Sequence, residues 1–72
     1  MQAAHPLKAY RAKEGLTQGA LASRLGVNRT SVARWETGAR KIDDGLVDIV
    51  AKATGISVRD LRPDLAKIVE GV

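Results

Sequence analysis

The 72-residue chain has no cysteine, one histidine, one tryptophan, one tyrosine and two prolines. Without cysteine there is neither a disulfide nor a thiolate metal ligand. A single histidine cannot complete a zinc site of the usual kind, which takes three or four ligands of restricted type. No metal and no cofactor is therefore expected. No stretch approaches the roughly 20 apolar residues that span a bilayer, which excludes a transmembrane helix. The start, Met1-Gln2-Ala3-Ala4-His5-Pro6, lacks an apolar run behind a basic patch, so no secretory signal is expected. Paired carboxylates, a nucleophile motif and a phosphate-cradling glycine loop are all missing. A core this small has little room to enclose a pocket, so the chain reads as a non-enzyme. There is no internal repeat, and no β-branched or aromatic run alternates with polar residues as a strand would. At about 100–200 residues per domain, the length allows one domain.

What is present is charge, unevenly placed. The net charge is +4. Residues 1–41 hold eight bases and two acids, a net +6, while residues 42–72 hold four bases and six acids, a net −2. A basic half points to a polyanion partner if its bases share a face.

Helix punctuation is dense. Pro6 suits a first helical turn, because its missing N–H would be unpaired there. Leu7 and Tyr10 follow at helical spacing and Gly15 stops the run, which gives helix one over about 6–14. His5 reads as exposed or capping, and Tyr10 as half-buried. Thr17 is an N-cap for helix two, on which Leu21, Ala22 and Leu25 share a face before Gly26 ends it. Asn28 caps helix three, where Val32 and Trp35 point one way and Arg29, Thr30, Ala33 and Arg34 point elsewhere. Gly38 stops helix three. The loop Ala39-Arg40-Lys41-Ile42 leads to Asp43 or Asp44 as the expected cap of helix four, which runs to Thr54. Ser57 with Asp60 resembles a capping box for a short helix five carrying Val58 and Leu61. Asp64 through Val72 reads as a sixth helical segment or a fraying tail.

Residues 18–37 thus form two helices joined by a tight turn. Ala22 is small where the axes approach, Gly26 sits at the corner, and Val27, Val32 and Trp35 face inward. The start of the second helix stays outward and polar, as a recognition helix requires. Asn and Arg there can bond base edges. The helical spacing of Trp35 with Val32 makes it a core residue rather than a stacking platform.

The pattern Thr17-Gln18-x-x-Leu21-Ala22-x-x-Leu25-Gly26-Val27-x-x-x-x-Val32-x-x-Trp35-Glu36-x-Gly38 resembles the Cro/lambda-repressor (XRE-like) type of helix-turn-helix domain. The tail Asp60-Leu61-Arg62-Pro63-Asp64 resembles the end of the YdaS-like subgroup of prophage regulators and antitoxins. The resemblance implies an all-α, compact five-helix lambda-repressor-like fold, with the DNA-binding domain over 1–62 and a tail or short interaction helix over 63–72. It also implies roles by position. Asn28, Arg29, Thr30, Ala33 and Arg34 would read bases. Gln18, Arg40 and Lys41 would contact phosphates, with Gln18 also bracing the recognition helix. Arg11 and Glu36 would form a structural ion pair between helix one and the end of helix three. Gly19 departs from the family pattern, and glycine near a helix start weakens the helix.

The implied function is sequence-specific binding of double-stranded DNA by a small prokaryotic or phage transcriptional repressor, cytoplasmic and homodimeric at least on DNA. The alternative is an antitoxin or adaptor whose main partner is a protein, engaged through the C-terminal segment. Ile49 lies on the flank of helix four. It either covers helix five or joins Leu65, Ile68 and Val69 in a dimer contact.

Overall fold

A computed structural model describes residues 5–65. Among these the fold is all-α, with α1 (Pro6–Glu14), α2 (Gln18–Leu25), α3 (Arg29–Thr37), α4 (Val47–Thr54) and α5 (Val58–Leu61). Helical backbone resumes at 63–65. Most of the segment expected as a sixth helix or tail lies outside the described residues, as do Ile68 and Val69.

The chain divides into two compact units, residues 1–41 and residues from Ile42 onward. The first unit holds the basic half of the charge distribution and the second the acidic half.

In the first unit the core is Leu7, Leu21, Ala22, Leu25, Val32 and Trp35, all buried. α2 packs mainly on α3, and α1 also packs on α3. Each helix starts where its cap residue can take up a free N–H. Thr17 Oγ1 accepts from Ala20 N at 3.0 Å, and Asn28 Oδ1 accepts from Ser31 N at 3.0 Å. The corner between α2 and α3 depends on Gly26, whose φ of 72° is left-handed. Val27 N then donates back to Ala22 O at 3.0 Å, which closes a Schellman turn. A side chain at position 26 would strain this reversal. Val27, expected inside, is only half-buried.

His5 caps α1. Its Nδ1 accepts from Leu7 N at 3.1 Å, so the cap requires an unprotonated Nδ1. Burial pushes the imidazole below its ordinary 6.5, against the pull of the Glu36 charge.

The second unit has Ile42, Val47, Val50, Leu61 and the stem of Arg62 as its buried residues. Here one expectation fails. Neither Asp43 nor Asp44 caps α4. The helix begins later, at Val47, after Leu46, with no side-chain cap. Asp43 instead offers its backbone carbonyl to Leu46 N at 2.8 Å and Val47 N at 3.1 Å, making a turn. Asp44 is drawn to Arg62 Nη1 at 2.7 Å, because a charge-assisted bond outcompetes a neutral N–H cap. Ser57 does cap α5, accepting from Asp60 N at 3.2 Å.

Arg62 organises this unit. Only 8% of its surface is exposed. Nη1 also donates to Ile42 O at 2.5 Å, while Nε and Nη2 bond the two oxygens of Asp64 at 3.0 and 2.7 Å. Its hydrogen bonds to Asp64 and Asp44 raise the guanidinium pKa further. The guanidinium therefore ties the turn that begins the unit to the end of α5.

Two outcomes are expected. In His5→Asn, which keeps a cap without a titrating group, thermal stability should vary less between pH 7.5 and 5 than in the native chain. The sign follows from the lowered pKa. The His5 contribution is full above 6.5 and is lost as pH falls through the lower folded value. Parallel pH profiles of the two proteins would refute it. Arg62→Lys should lower the melting temperature despite keeping the charge, since an ammonium cannot bond Asp64 side-on while holding Ile42 O. An unchanged melt would refute that.

Candidate nucleic-acid interface

The α3 residues 29, 30, 33 and 34 form one strip on the side away from the buried Val32 and Trp35. Arg29, Thr30 and Arg34 are exposed and Ala33 is half-buried. Trp35 is in the core at 3% exposure, which removes it as a stacking surface.

The two arginines of the strip make no side-chain hydrogen bond or ion pair among the described residues, and neither does Arg40. Seven of the eight bases in the first unit are exposed; Arg11 is the exception. The charges of Arg29, Arg34 and Arg40 are thus displayed at the surface.

Asn28 has a different position from its neighbours. Its Oδ1 accepts from both Ser31 N and Ser31 Oγ, at 3.0 and 3.2 Å. Both lone pairs of that oxygen are occupied, which leaves the Nδ2 amide as its outward donor. A bidentate contact to adenine, which needs the oxygen as well, would cost the cap.

Behind the strip lies a polar cluster centred on Glu36. Arg11 meets its carboxylate side-on, Nε to Oε2 at 2.7 Å and Nη2 to Oε1 at 2.8 Å. Arg11 Nη1 also donates to Leu16 O at 3.1 Å, in the turn between α1 and α2. Gln18 Nε2 donates to Glu36 Oε1 at 3.2 Å from the first turn of α2. The Glu36 side chain is 4% exposed and that of Arg11 18%. Hydrogen bonding to Arg11, assisted by Gln18 and opposed by burial, holds the Glu36 carboxyl below its ordinary value. The same bond raises the Arg11 pKa. The carboxylate thereby links α1, the start of α2 and the end of α3, fixing the angle at which α3 is presented.

Gln18 Nε2 gives one of its two hydrogens to Glu36, which leaves the other and the backbone N–H as donors at the start of α2. The backbone N–H groups of Gln18 and Gly19 on α2, and of Arg29 and Thr30 on α3, are first-turn donors that the caps Thr17 and Asn28 do not take, since these accept from Ala20 N and Ser31 N.

A helix-turn-helix family profile matches residues 7–61. The chain belongs to the helix-turn-helix family of the Cro/lambda-repressor (XRE) type. This is a family of DNA-binding transcription regulators, generally without enzymatic activity. No match was found among curated proteins or among solved structures. The helix-turn-helix proper is α2, the Gly26 corner and α3. No helix among the described residues is long and apolar enough to cross a membrane. No cluster of three or more His, Asp or Glu suited to a metal occurs among them either.

Sequence reasoning overlooked two buried residues. Ile42 is 1% exposed but sits between Lys41 and Asp43 in what reads as a polar loop. Arg62 gave no signal by periodicity, since a buried arginine is visible only through its partners. The spacing Arg62-Pro63-Asp64 was the one local hint.

The Glu36 cluster carries a prediction. Arg11→Ala should cost on the order of 2–3 kcal/mol of stability. That is somewhat less than the 3–5 expected for breaking a fully buried pair, because Arg11 keeps some exposure. Lys13→Ala, at an exposed site on the same helix, should cost under about 0.5 kcal/mol. The Glu36 contribution is present above the ordinary carboxylate value of 4.5 and lost as pH falls through the lowered one, so the gap should narrow in acid. Equal urea midpoints for the two variants at pH 7 would contradict this.

Proposed function

We propose that the chain is a sequence-specific repressor of the prophage or bacterial type that binds double-stranded DNA with α3 in the major groove. The observation that carries this reading is the strip of unpaired arginines on α3, on a unit with a net charge of +6. Arg29, Thr30, Ala33 and Arg34 read base edges, Arg29 and Arg34 as bidentate donors to guanine. Asn28 contributes its Nδ2 amide. Arg40 and Lys41 contact phosphates, and so does Gln18. One module offers four or five reading positions. Useful specificity therefore calls for a homodimer on a two-fold operator, with half-sites about 34–36 Å apart. The site of action is the cytoplasm of a bacterium.

A second reading is an antitoxin or adaptor that engages a protein. Ile49 favours it, as a large apolar side chain 51% exposed on the acidic second unit. Titration with random duplex DNA at two salt concentrations separates the two. Steep salt dependence supports DNA binding, and no binding at low salt supports a protein partner.

Selection of bound duplexes from a random pool should enrich a two-fold motif. On that motif, Arg34→Ala should relax preference at one base pair, by about 1–3 kcal/mol of discrimination. Arg40→Ala should weaken all sequences alike and reduce the salt slope by about one counterion. Uniform weakening by both variants would rule out base reading by α3.

A further inference from the structure

The segment that follows α3 is tied back to the helix it leaves. An α-helix leaves its last carbonyls without an intrahelical partner, and on α3 these include Arg34 O and Trp35 O. Gly38 turns the chain in the left-handed region, at a φ of 81°, and its N–H goes to Trp35 O at 3.2 Å. The next two N–H groups also point back. Ala39 N donates to Thr37 Oγ1 at 3.4 Å, and Arg40 N donates to Arg34 O at 3.2 Å. The Thr37 hydroxyl in turn donates to the same Arg34 O at 3.2 Å.

Thr37 is exposed and belongs neither to the core nor to the strip 29, 30, 33 and 34. Alanine would favour the helix more. Yet its hydroxyl is used as donor and as acceptor at once, joining the last turn of α3 to the loop. Arg34 O is the node where the hydroxyl and the Arg40 N–H meet. The main chain of Arg40 is therefore fastened to the main chain of Arg34. Both side chains start from one rigid piece and are exposed, and neither has a side-chain partner among the described residues.

We propose that Thr37 is a positioning residue for DNA recognition, whose hydroxyl holds the Arg40 loop at a fixed spacing from Arg34. One phosphate contact then sets the register in which α3 meets the bases. The inference rests on the readings of Arg34 as base-reading and Arg40 as phosphate-contacting, and it deepens them by coupling the two. On random DNA the charge of Arg40 matters more than its exact place, because any nearby phosphate serves. On a cognate duplex the base contacts fix α3, and the phosphate must be met at one point. A fastened loop meets it already ordered. A released loop must first lose its conformational freedom, which weakens the specific complex. Thr37 thus contributes to specificity without touching DNA.

The test compares affinity for the duplex recovered by selection with affinity for a random-sequence duplex at low salt. The proteins are the native chain, Thr37→Val, Thr37→Ser, Arg40→Ala and the Thr37→Val/Arg40→Ala double variant. Thr37→Val keeps the branched shape and loses the hydroxyl. It should bind the selected duplex about tenfold more weakly, the cost of re-ordering roughly one residue of backbone. Its affinity for random duplex should change by less than about twofold, because its charge is unaltered. Thr37→Ser keeps the hydroxyl and should bind both duplexes as the native chain does. In the Arg40→Ala background, Thr37→Val should change nothing further. If Thr37→Val is unfolded at the assay temperature, Thr37→Ala takes its place with the same outcomes expected. Native affinity of the hydroxyl-free variant for the selected duplex, with Arg40→Ala weakened, overturns the proposal alone. So does an equal loss on both duplexes, an equal loss in both Arg40 backgrounds, or a Thr37→Ser variant as weak as Thr37→Val. Unchanged affinity of Arg40→Ala overturns the phosphate role of Arg40 and the proposal together. A pool that yields no enriched duplex overturns sequence reading by α3 and the proposal with it.

Discussion

The side chain of Glu36 is the constraint on which the presentation of α3 depends. A carboxylate exposed by only 4% has lost most of its hydration. It is tolerable only because Arg11 and Gln18 supply three directed donors in its place. These donors come from α1 and from the first turn of α2, so satisfying one charge fixes three helices against each other. Apolar packing of Leu21, Ala22, Val32 and Trp35 holds α2 on α3, but packing is non-directional. The bidentate geometry adds the direction.

Charge is used in two opposite ways. Arg11 and Arg62 are spent internally, each bonded to carboxylate oxygens and to a backbone carbonyl. Arg29, Arg34 and Arg40 are held out with nothing to neutralise them among the described residues. The first kind fixes geometry within a unit. The second keeps positive charge at the surface of the first unit. Six of the eight acids lie beyond residue 41 in the sequence.

Much of the fold was legible because its signals are local. Caps at Thr17, Asn28 and Ser57 and the stop at Gly26 depend on residues within a turn of each other. The inward positions of α2 and α3 follow from helical period. The start of α4 was misread for the same reason. Asp43-Asp44 has the local look of a cap, but Asp44 answers to Arg62, eighteen residues away. Ile42 was missed because a single apolar residue in a charged loop has no period to betray it. In the candidate site, the outward strip 29, 30, 33 and 34 was readable from the periodicity of α3. The commitment of Asn28 Oδ1 to Ser31 was not.

The absence of cysteine, the scarcity of histidine and the excess of base over acid in the first 41 residues were properties of the sequence by itself. They determined that no disulfide and no cysteine-ligated metal occurs within these 72 residues. They also determined that its first 41 residues are cationic. Helix boundaries in the first unit belong to the same class, since hydrogen bonds to a cap reach only three or four residues. Tertiary structure alone decided which charges are consumed and which are available. An arginine looks the same in sequence whether it is paired or free. Its fate depends on whether a carboxylate distant along the chain is brought within about 3 Å, where a charge-assisted bond outweighs solvation. Folding makes that selection for Arg11 and Arg62 and withholds it from Arg29 and Arg34.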